Sequence, residues 1–407
     1  MRILYLYQYF VARQGHGMTR SYEFARRLIA MGHEVTVITL SGYLPEEYRG
    51  YKRTTRIDIE GVPVIILPVA YSNYMSFRRR IFAFIKFALL ASWICMRTQT
   101  DVIYASSGPL TIAIPAIAGK LWQRIPMVFE VRDLWPRMPI ALGVLRDPVT
   151  KTIARAMEWI AYHAADRVVA LSPGMARGVQ ERGVNETSIS VIPNSCDVDL
   201  FDVSVELGCS VRKRLELYRG EPLVVYAGSF AWMYNLSYLI DIAVQMDYVM
   251  PECRFLLIGH GAEFESLKAR ALQFGVLDNT VFILPPVPKT EMPAILSAST
   301  ITVSITMAIE EFSDNSANKF FDSLAAGRPI AINYGGWQAD LLKQTGAGIQ
   351  IAADNPQLAA AQLAEFLRDP DRVTRAGQAA RELAYTRFHR DRMAEKLEAV
   401  LKQAVTQ

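Results

Sequence analysis

The sequence predicts an α/β protein built from two doubly wound domains, on three observations. Strand-like apolar runs alternate with helix-period segments along nearly the whole chain, the pattern of a parallel sheet covered by helices. At 407 residues the chain exceeds one typical core. The alternation breaks over residues 195–208, SCDVDLFDVSVELG, and then restarts with a new strand. We therefore expect one domain over 1–198, completed by a C-terminal helix at 386–407, and a second over 199–385.

Composition narrows the class. Half the residues are hydrophobic (51%) and 21% are charged, which suits a packed soluble protein, and a net charge of +4 does not indicate nucleic acid. A local basic cluster could still act at an anionic membrane surface. Cys95, Cys196, Cys209 and Cys253 lack CxxC spacing and nearby histidines, so free, mostly buried thiols in a reducing cytoplasm are expected rather than zinc. MRILYLYQYF has neither the length nor the cleavage site of a signal peptide and reads as a first strand.

In chain order, that strand leads into the loop VARQGHGMTR, a helix over 19–31 and the strand HEVTVITL. Gly15 and Gly17 flank His16, and Arg20 stands on the helix's first turn. The glycines would let backbone N–H groups approach a phosphate or acceptor, or merely make a tight turn. His16 is either a ligand contact or an ordinary polar loop residue. A polar loop and the strand VPVIILPV follow.

Residues 76–98, SFRRRIFAFIKFALLASWICMRT, hold an apolar stretch too short, and too interrupted by Lys86, to span a bilayer. Arg78, Arg79, Arg80 and Lys86 beside Phe, Leu and Trp suit a helix lying among anionic headgroups, or equally a core helix with a basic end.

The strand DVIYAS, a helix over 110–123 and the strand PMVFEVRDLWP come next. Arg132 and Asp133 stand where that strand ends, the position at which open α/β sheets bind ligands, although Asp133 could be a salt-bridged structural residue. Glu130, inside the strand, reads as a paired structural carboxylate. A helix over 148–165, the strand RVVALS, the helix PGMARGVQERG and the strand SISVIPN complete the domain.

The second series runs PLVVYAGSF, a helix over 235–248, CRFLLIGHG, a helix over 262–274, VFILPPV, a helix over 291–298 and TITVSIT. Residues 309–334, IEEFSDNSANKFFDSLAAGRPIAINY, then give a polar loop, a helix capped by Ser316 and stopped by Gly327, and a strand. Asn318, Lys319 and Asp322 share one helix face beside Asp314. A helix start offers free N–H groups and partial positive charge, so this is a seat for a diphosphate and a sugar, or an ordinary amphipathic helix after a polar loop. Helices follow residue 355, including an amphipathic run over 388–404. Two such domains facing one another would form a ligand cleft.

These segments, in this order, resemble the retaining bacterial glycosyltransferases of family 4: GHEVTVIT, VRDLWP, VIPNSCDVDLF, LIGHGAEFESLKARA, LPPVPKTEMP and NKFFDSLAAGRPI. The resemblance implies the GT-B fold, two facing Rossmann-like domains with parallel sheets and an interdomain cleft. It implies a nucleotide-sugar donor, expected to be UDP-linked, on the C-terminal domain and an acceptor on the N-terminal one. VRDLWP with NKFFDSLAAG looks most like the subgroup acting on lipid-diphosphate-linked precursors of O-antigen or capsule, among them the N-acetylfucosamine transferases.

The family's acidic pair, separated by seven residues, falls on Asp314 and Asp322, each an aspartate where glutamate is usual. Asp322 would bind the ribose, and Asp314 would stand near the transferred sugar, with Asn315 or Glu311 as substitutes. Lys319 would meet the diphosphate with the N–H groups of Ala317 and Asn318. Gly228, Ser229 and His260 would shape the donor loops, and Val287 the base-recognition loop.

The loop GSFAWMYN lacks the basic residue that many relatives supply, which raises Lys319 and brings in Arg20 as a possible second cation. Arg132 replaces a histidine common before the aspartate and cannot serve as a base near neutrality. The leaving phosphate would then help deprotonate the acceptor, with Asp133, Lys319 and Asp314 as the catalytic set. No cofactor is expected, and no metal, since no DxD-like cluster lies near a strand end. The implied partners are a nucleotide sugar, a polyprenyl-diphosphate-linked saccharide and the anionic inner leaflet, for a cytoplasmic protein peripheral to the inner membrane. A nucleotide-sugar 2-epimerase and a non-catalytic nucleotide-sugar-binding scaffold remain open alternatives.

Overall fold

A computed structural model of the chain describes residues 1–12, 19–44, 46–72, 75–218 and 220–406. It forms two compact units, Met1–Pro193 with Asp391–Gln407, and Asn194–Arg390.

The first unit runs β1 (Arg2–Leu6), α1 (Arg20–Ala30), β2 (Glu34–Leu40), β3 (Thr55–Ile59), β4 (Val62–Leu67), α2 (Phe77–Arg97), β5 (Val102–Ser106), α3 (Ala113–Gln123), β6 (Met127–Val131), α4 (Arg137–Ala141), α5 (Pro148–Ala164), β7 (Arg167–Ala170), α6 (Pro173–Gln180) and β8 (Ile189–Val191). Its sheet has the order β3-β4-β2-β1-β5-β6-β7-β8. All pairs are parallel except β3 with β4. The central strands β5 and β6 are buried at every residue, as expected for strands covered on both faces.

Sequence reading missed β3, an edge strand whose charged residues break the apolar pattern. Its hairpin is closed by Glu60 and Gly61, both at positive φ (50° and 82°), the turn whose twist matches flanking strands. The starts of α5 and α6 are written locally. Asp147 and Ser172 each accept a backbone N–H as N-cap, with proline just inside the helix.

The second unit runs α7 (Val198–Phe201), α8 (Val205–Arg214), β9 (Leu223–Ser229), α9 (Leu236–Val249), β10 (Arg254–His260), α10 (Phe264–Gln273), β11 (Val281–Leu284), α11 (Met292–Ala298), β12 (Ile301–Ser304), α12 (Asn318–Ala325), β13 (Ile330–Ile332), α13 (Trp337–Thr345), β14 (Gly348–Gln350), α14 (Pro356–Leu367) and α15 (Pro370–Thr386). Its sheet is parallel, in the order β11-β10-β9-β12-β13-β14. The last helix, α16 (Arg390–Val405), returns to the first unit.

The expected linker over 195–208 is corrected. It holds α7 and the start of α8, which belong to the second unit. Gly208 lets α8 lie against α11, since a Cβ there would come within 2.8 Å of the Ser297 backbone. Its irregular periodicity reflects two short helices, α7 and the start of α8, the latter packed closely on α11. The chain crosses between units at 193/194 and returns at 390/391, against the expected 198/199 and 385/386.

In the first unit α1 and α16 pack on one sheet face. The helices α2, α3, α5 and α6 pack on the other.

Candidate functional site

In the second unit, strand order reverses between β9 and β12, so the connections leaving their C-terminal ends diverge to opposite faces and leave a recess there. The connection after β12 delivers the N-terminus of α12 to that edge. Gly228 and Ser229 end β9, and His260 ends β10 directly beside Ser229. Gly259 is required there by space, because a Cβ would meet the Gly228 carbonyl oxygen at 1.8 Å. Val287 lies half-buried after β11. The expected donor residues thus share one sheet edge.

Lys319 has the most telling environment. Its ammonium sits 4.0 Å from the ring centroid of Tyr234 and 4.8 Å from that of Tyr226. No carboxylate bonds it among the described residues, and burial pushes its pKa down to about 7. The side chain also passes Gly228 closely enough that a Cβ there would lie 3.2 Å from its Cε. A cation over two aromatic faces keeps part of its stabilisation while its N–H donors remain uncommitted to an acid. Neither tyrosine was foreseen. Tyr234 lies in the very loop, GSFAWMYN, that had drawn notice only for lacking a cation.

Asp322, one turn along α12, accepts from Lys289 Nζ at 2.5 Å, and both side chains are 18% exposed. Lys289 was also missed, although its segment LPPVPKTEMP had been singled out. An acid on α12 and a base after β11 become partners only through the fold.

Asp314 ends a 3₁₀ segment, Glu310–Asp314. Asn315 is spent on the turn. Its Nδ2 donates to the Phe312 carbonyl at 2.5 Å, and its Oδ1 accepts from Ala317 N at 3.2 Å. The turn thus occupies the Ala317 N–H expected at the phosphate and one N–H of the Asn315 amide, with Asn318 and Lys319 at the helix start. Ser316 is not the cap. The cap position is Ala317, while Ser316 Oγ accepts from Asn194 N at 3.1 Å.

In the first unit, Gly15, His16 and Gly17 lie outside the described residues. Arg20 is corrected from a phosphate ligand to a structural residue. It donates to one Glu130 oxygen from Nε (3.0 Å) and Nη2 (2.8 Å), and to the carbonyls of Pro193 (2.6 Å) and Ile192 (2.8 Å). Tyr104 donates to Glu130 at 2.6 Å, and Ser106 donates to its other oxygen. Burial works to raise the Glu130 pKa, but Arg20, Arg132 and the two hydroxyls outweigh it and hold the carboxylate below its ordinary range. Glu130 is thus the paired structural acid its strand position implied.

Arg132 is buried, with its guanidinium 4.8 Å from the Tyr7 ring centroid. Solvent reaches Asp133, but protein surrounds it closely enough to push its pKa up to about 6, against the pull of Arg132. It remains mostly a carboxylate at neutral pH and can accept a hydroxyl hydrogen bond.

On α2, Arg78 and Arg79 are exposed and Arg80 is partly buried. Lys86 is exposed and donates one of its three N–H groups to the Pro68 carbonyl at 2.8 Å. No helix among the described residues is long and apolar enough to cross a membrane. Cys95, Cys196 and Cys253 are buried and Cys209 is exposed, all free.

Residues 17–195 match the Glycosyl transferase 4-like domain, and residues 210–383 match Glycosyl transferases group 1. A 2-deoxystreptamine glucosyltransferase of Streptomyces kanamyceticus is 23% identical over 238 residues, 58% of this chain and 60% of that protein. The chain thus spans less than two thirds of that relative's length. Sucrose-phosphate synthase from Thermosynechococcus elongatus is similar in structure, with a TM-score of 0.78 at 16% identity, covering 99% of this chain and 98% of that one. Anabaena HepE, solved in complex with UDP, gives 0.73 at 16%, covering 99% and 100%. With two Rossmann-like parallel-sheet units and a glycosyltransferase match on each, the chain belongs to the GT-B glycosyltransferase superfamily.

Proposed function

We propose that the protein is a retaining glycosyltransferase that moves a sugar from a UDP-linked donor to a saccharide on a lipid diphosphate, in the assembly of a bacterial surface polysaccharide. The observation that carries the donor half is Lys319, a cation at a helix start and a sheet switch point with no acid bonded to it among the described residues. A diphosphate supplies the missing negative charge. As the bond from the anomeric carbon to the leaving phosphate breaks, Lys319 and the Asn318 N–H stabilise the charge that gathers on the phosphate oxygens. The acceptor hydroxyl forms the new bond on the same face and passes its proton to the leaving phosphate. Asp133 orients that hydroxyl, and Asp322, steadied by Lys289, receives the ribose hydroxyls.

The lipid-linked acceptor and a peripheral station on the inner membrane face are supported by the exposed arginines and apolar residues of α2. N-acetylfucosamine is the first donor sugar to try, from the resemblance of VRDLWP and NKFFDSLAAG. The test is a screen of UDP-sugars against polyprenyl-diphosphate-linked mono- and disaccharides, read by mass spectrometry, with and without EDTA. Acceptor-dependent nucleotide release, unchanged by EDTA, is expected. Donor conversion without acceptor would replace this reading by an epimerase, and nucleotide binding without turnover would leave a scaffold.

A further inference from the structure

Of the 25 large apolar side chains exposed among the described residues, 12 lie on α2, α3 and α5. On α2 they are Ile81, Phe82, Ile85, Leu89 and Trp93, at helical spacing along one stripe. Leu121 and Trp122 on α3 are each 71% exposed. Val149, Ile153, Trp159 and Ile160 form a matching stripe on α5. Three of the chain's six tryptophans, Trp93, Trp122 and Trp159, therefore face solvent on three helices.

These helices are neighbours. All three bury their inner faces in the same core, on the same side of the sheet. The helices α2 and α3 meet at Gly119, where a Cβ would lie 2.9 Å from that of Cys95, and Gln123 of α3 donates to the Thr98 carbonyl at 2.8 Å. Lys120 then ties α3 to α5 through the Ala164 carbonyl at 2.8 Å. Their outward faces therefore adjoin, with α3 in the middle.

Charge selects the occupant. Arg78, Arg79, Arg97, Arg124 and Arg155 are exposed on or beside these helices. The helices' one acidic residue, Glu158, is buried against Arg182 at 2.9 Å. Apolar stripes, exposed tryptophans and five exposed arginines against the exposed α5 cap Asp147 give a net basic surround that matches an anionic lipid leaflet.

We propose that α2, α3 and α5 together form the membrane-docking platform, with Trp122 and Trp159 entering the headgroup layer alongside Trp93. This rests on the peripheral-membrane part of the function proposed above and extends it from one helix to a surface. The test is flotation of the full chain with vesicles of phosphatidylglycerol and phosphatidylethanolamine, and with phosphatidylcholine alone. Trp122→Ser with Trp159→Ser should lower the partition coefficient on anionic vesicles by about tenfold. It should also remove quenching of tryptophan fluorescence by brominated phosphatidylglycerol, while leaving UDP-glucose affinity and circular dichroism unchanged.

Wild-type partitioning of that double variant, with partitioning lost in Arg78→Gln with Arg79→Gln, would overturn the platform and leave membrane attachment by α2 alone. Absence of vesicle binding by the wild type would overturn both. So would a concentration-dependent dimer in solution abolished by the tryptophan substitutions, which would make a second copy the occupant.

Discussion

Lys319 titrates where enzymes are assayed, and that gives the donor site a measurable signature. Its pKa of about 7 describes the ammonium over two tyrosines without a counter-charge. A bound diphosphate supplies that charge and returns the pKa toward the ordinary lysine value. Binding above pH 7 must then take up one proton, so affinity falls about tenfold per pH unit as the free protein loses its charge. From pH 6.5 to 8.5 the charged fraction drops from roughly three quarters to a few per cent, a weakening of about 25-fold. Calorimetric titration with UDP-glucose, in two buffers of different ionisation enthalpy, reads both the affinity and the proton uptake. Lys319→Arg should give a flat profile with binding retained, and Lys319→Met a flat profile with weak binding. A flat wild-type profile, or the wild-type slope persisting in Lys319→Met, would refute the assignment.

Two further perturbations test the frame around the sites. Glu130→Gln leaves the Arg20 guanidinium buried without its counter-charge, so denaturant unfolding should show a loss of about 3–5 kcal/mol, with Arg20→Met plus Glu130→Leu recovering part of it. Gly259→Ala should lower the melting temperature and donor affinity together, because the new methyl overlaps the Gly228 carbonyl at 1.8 Å, whereas Gly50→Ala, which meets nothing within 4 Å, should be silent.

The parallel core was legible because its strands are short, apolar and bounded by loops, and β5, β6, β9 and β10 fall within their expected segments. The helix boundaries were legible where a cap and a proline coincide, as at Asp147 and Pro148. The unforeseen elements lack those signals. The strand β3 alternates charge with isoleucine, and α7, a single turn of four residues, is too short for a period to register. At the donor site, the segment of α12 was found from its glycine stop and apolar face, yet its cap was misplaced. Ser316 has the right chemistry for a cap, but it is drawn off by the backbone of Asn194, 122 residues away. Lys289 and Tyr226 were invisible as site residues for the same reason, since each reaches α12 through tertiary contact alone.

Two cations that looked interchangeable in sequence are separated by their partners. Arg20 and Lys319 both precede or open a helix after a loop at a strand end, and both were candidates for a phosphate. Burying a guanidinium costs several kcal/mol unless its donors are matched, and Arg20 meets that cost with Glu130 and two carbonyls. Its positive charge is cancelled inside the first unit and is not available to a ligand. Among the described residues Lys319 meets only aromatic faces, which offset part of the same cost, and burial holds its pKa low. An anion arriving at α12 recovers that deficit as binding free energy, whereas one arriving at Arg20 would first have to displace a carboxylate. The proposed placement of the donor on the second unit therefore rests on where positive charge is left uncompensated, independently of the spacing of Asp314 and Asp322.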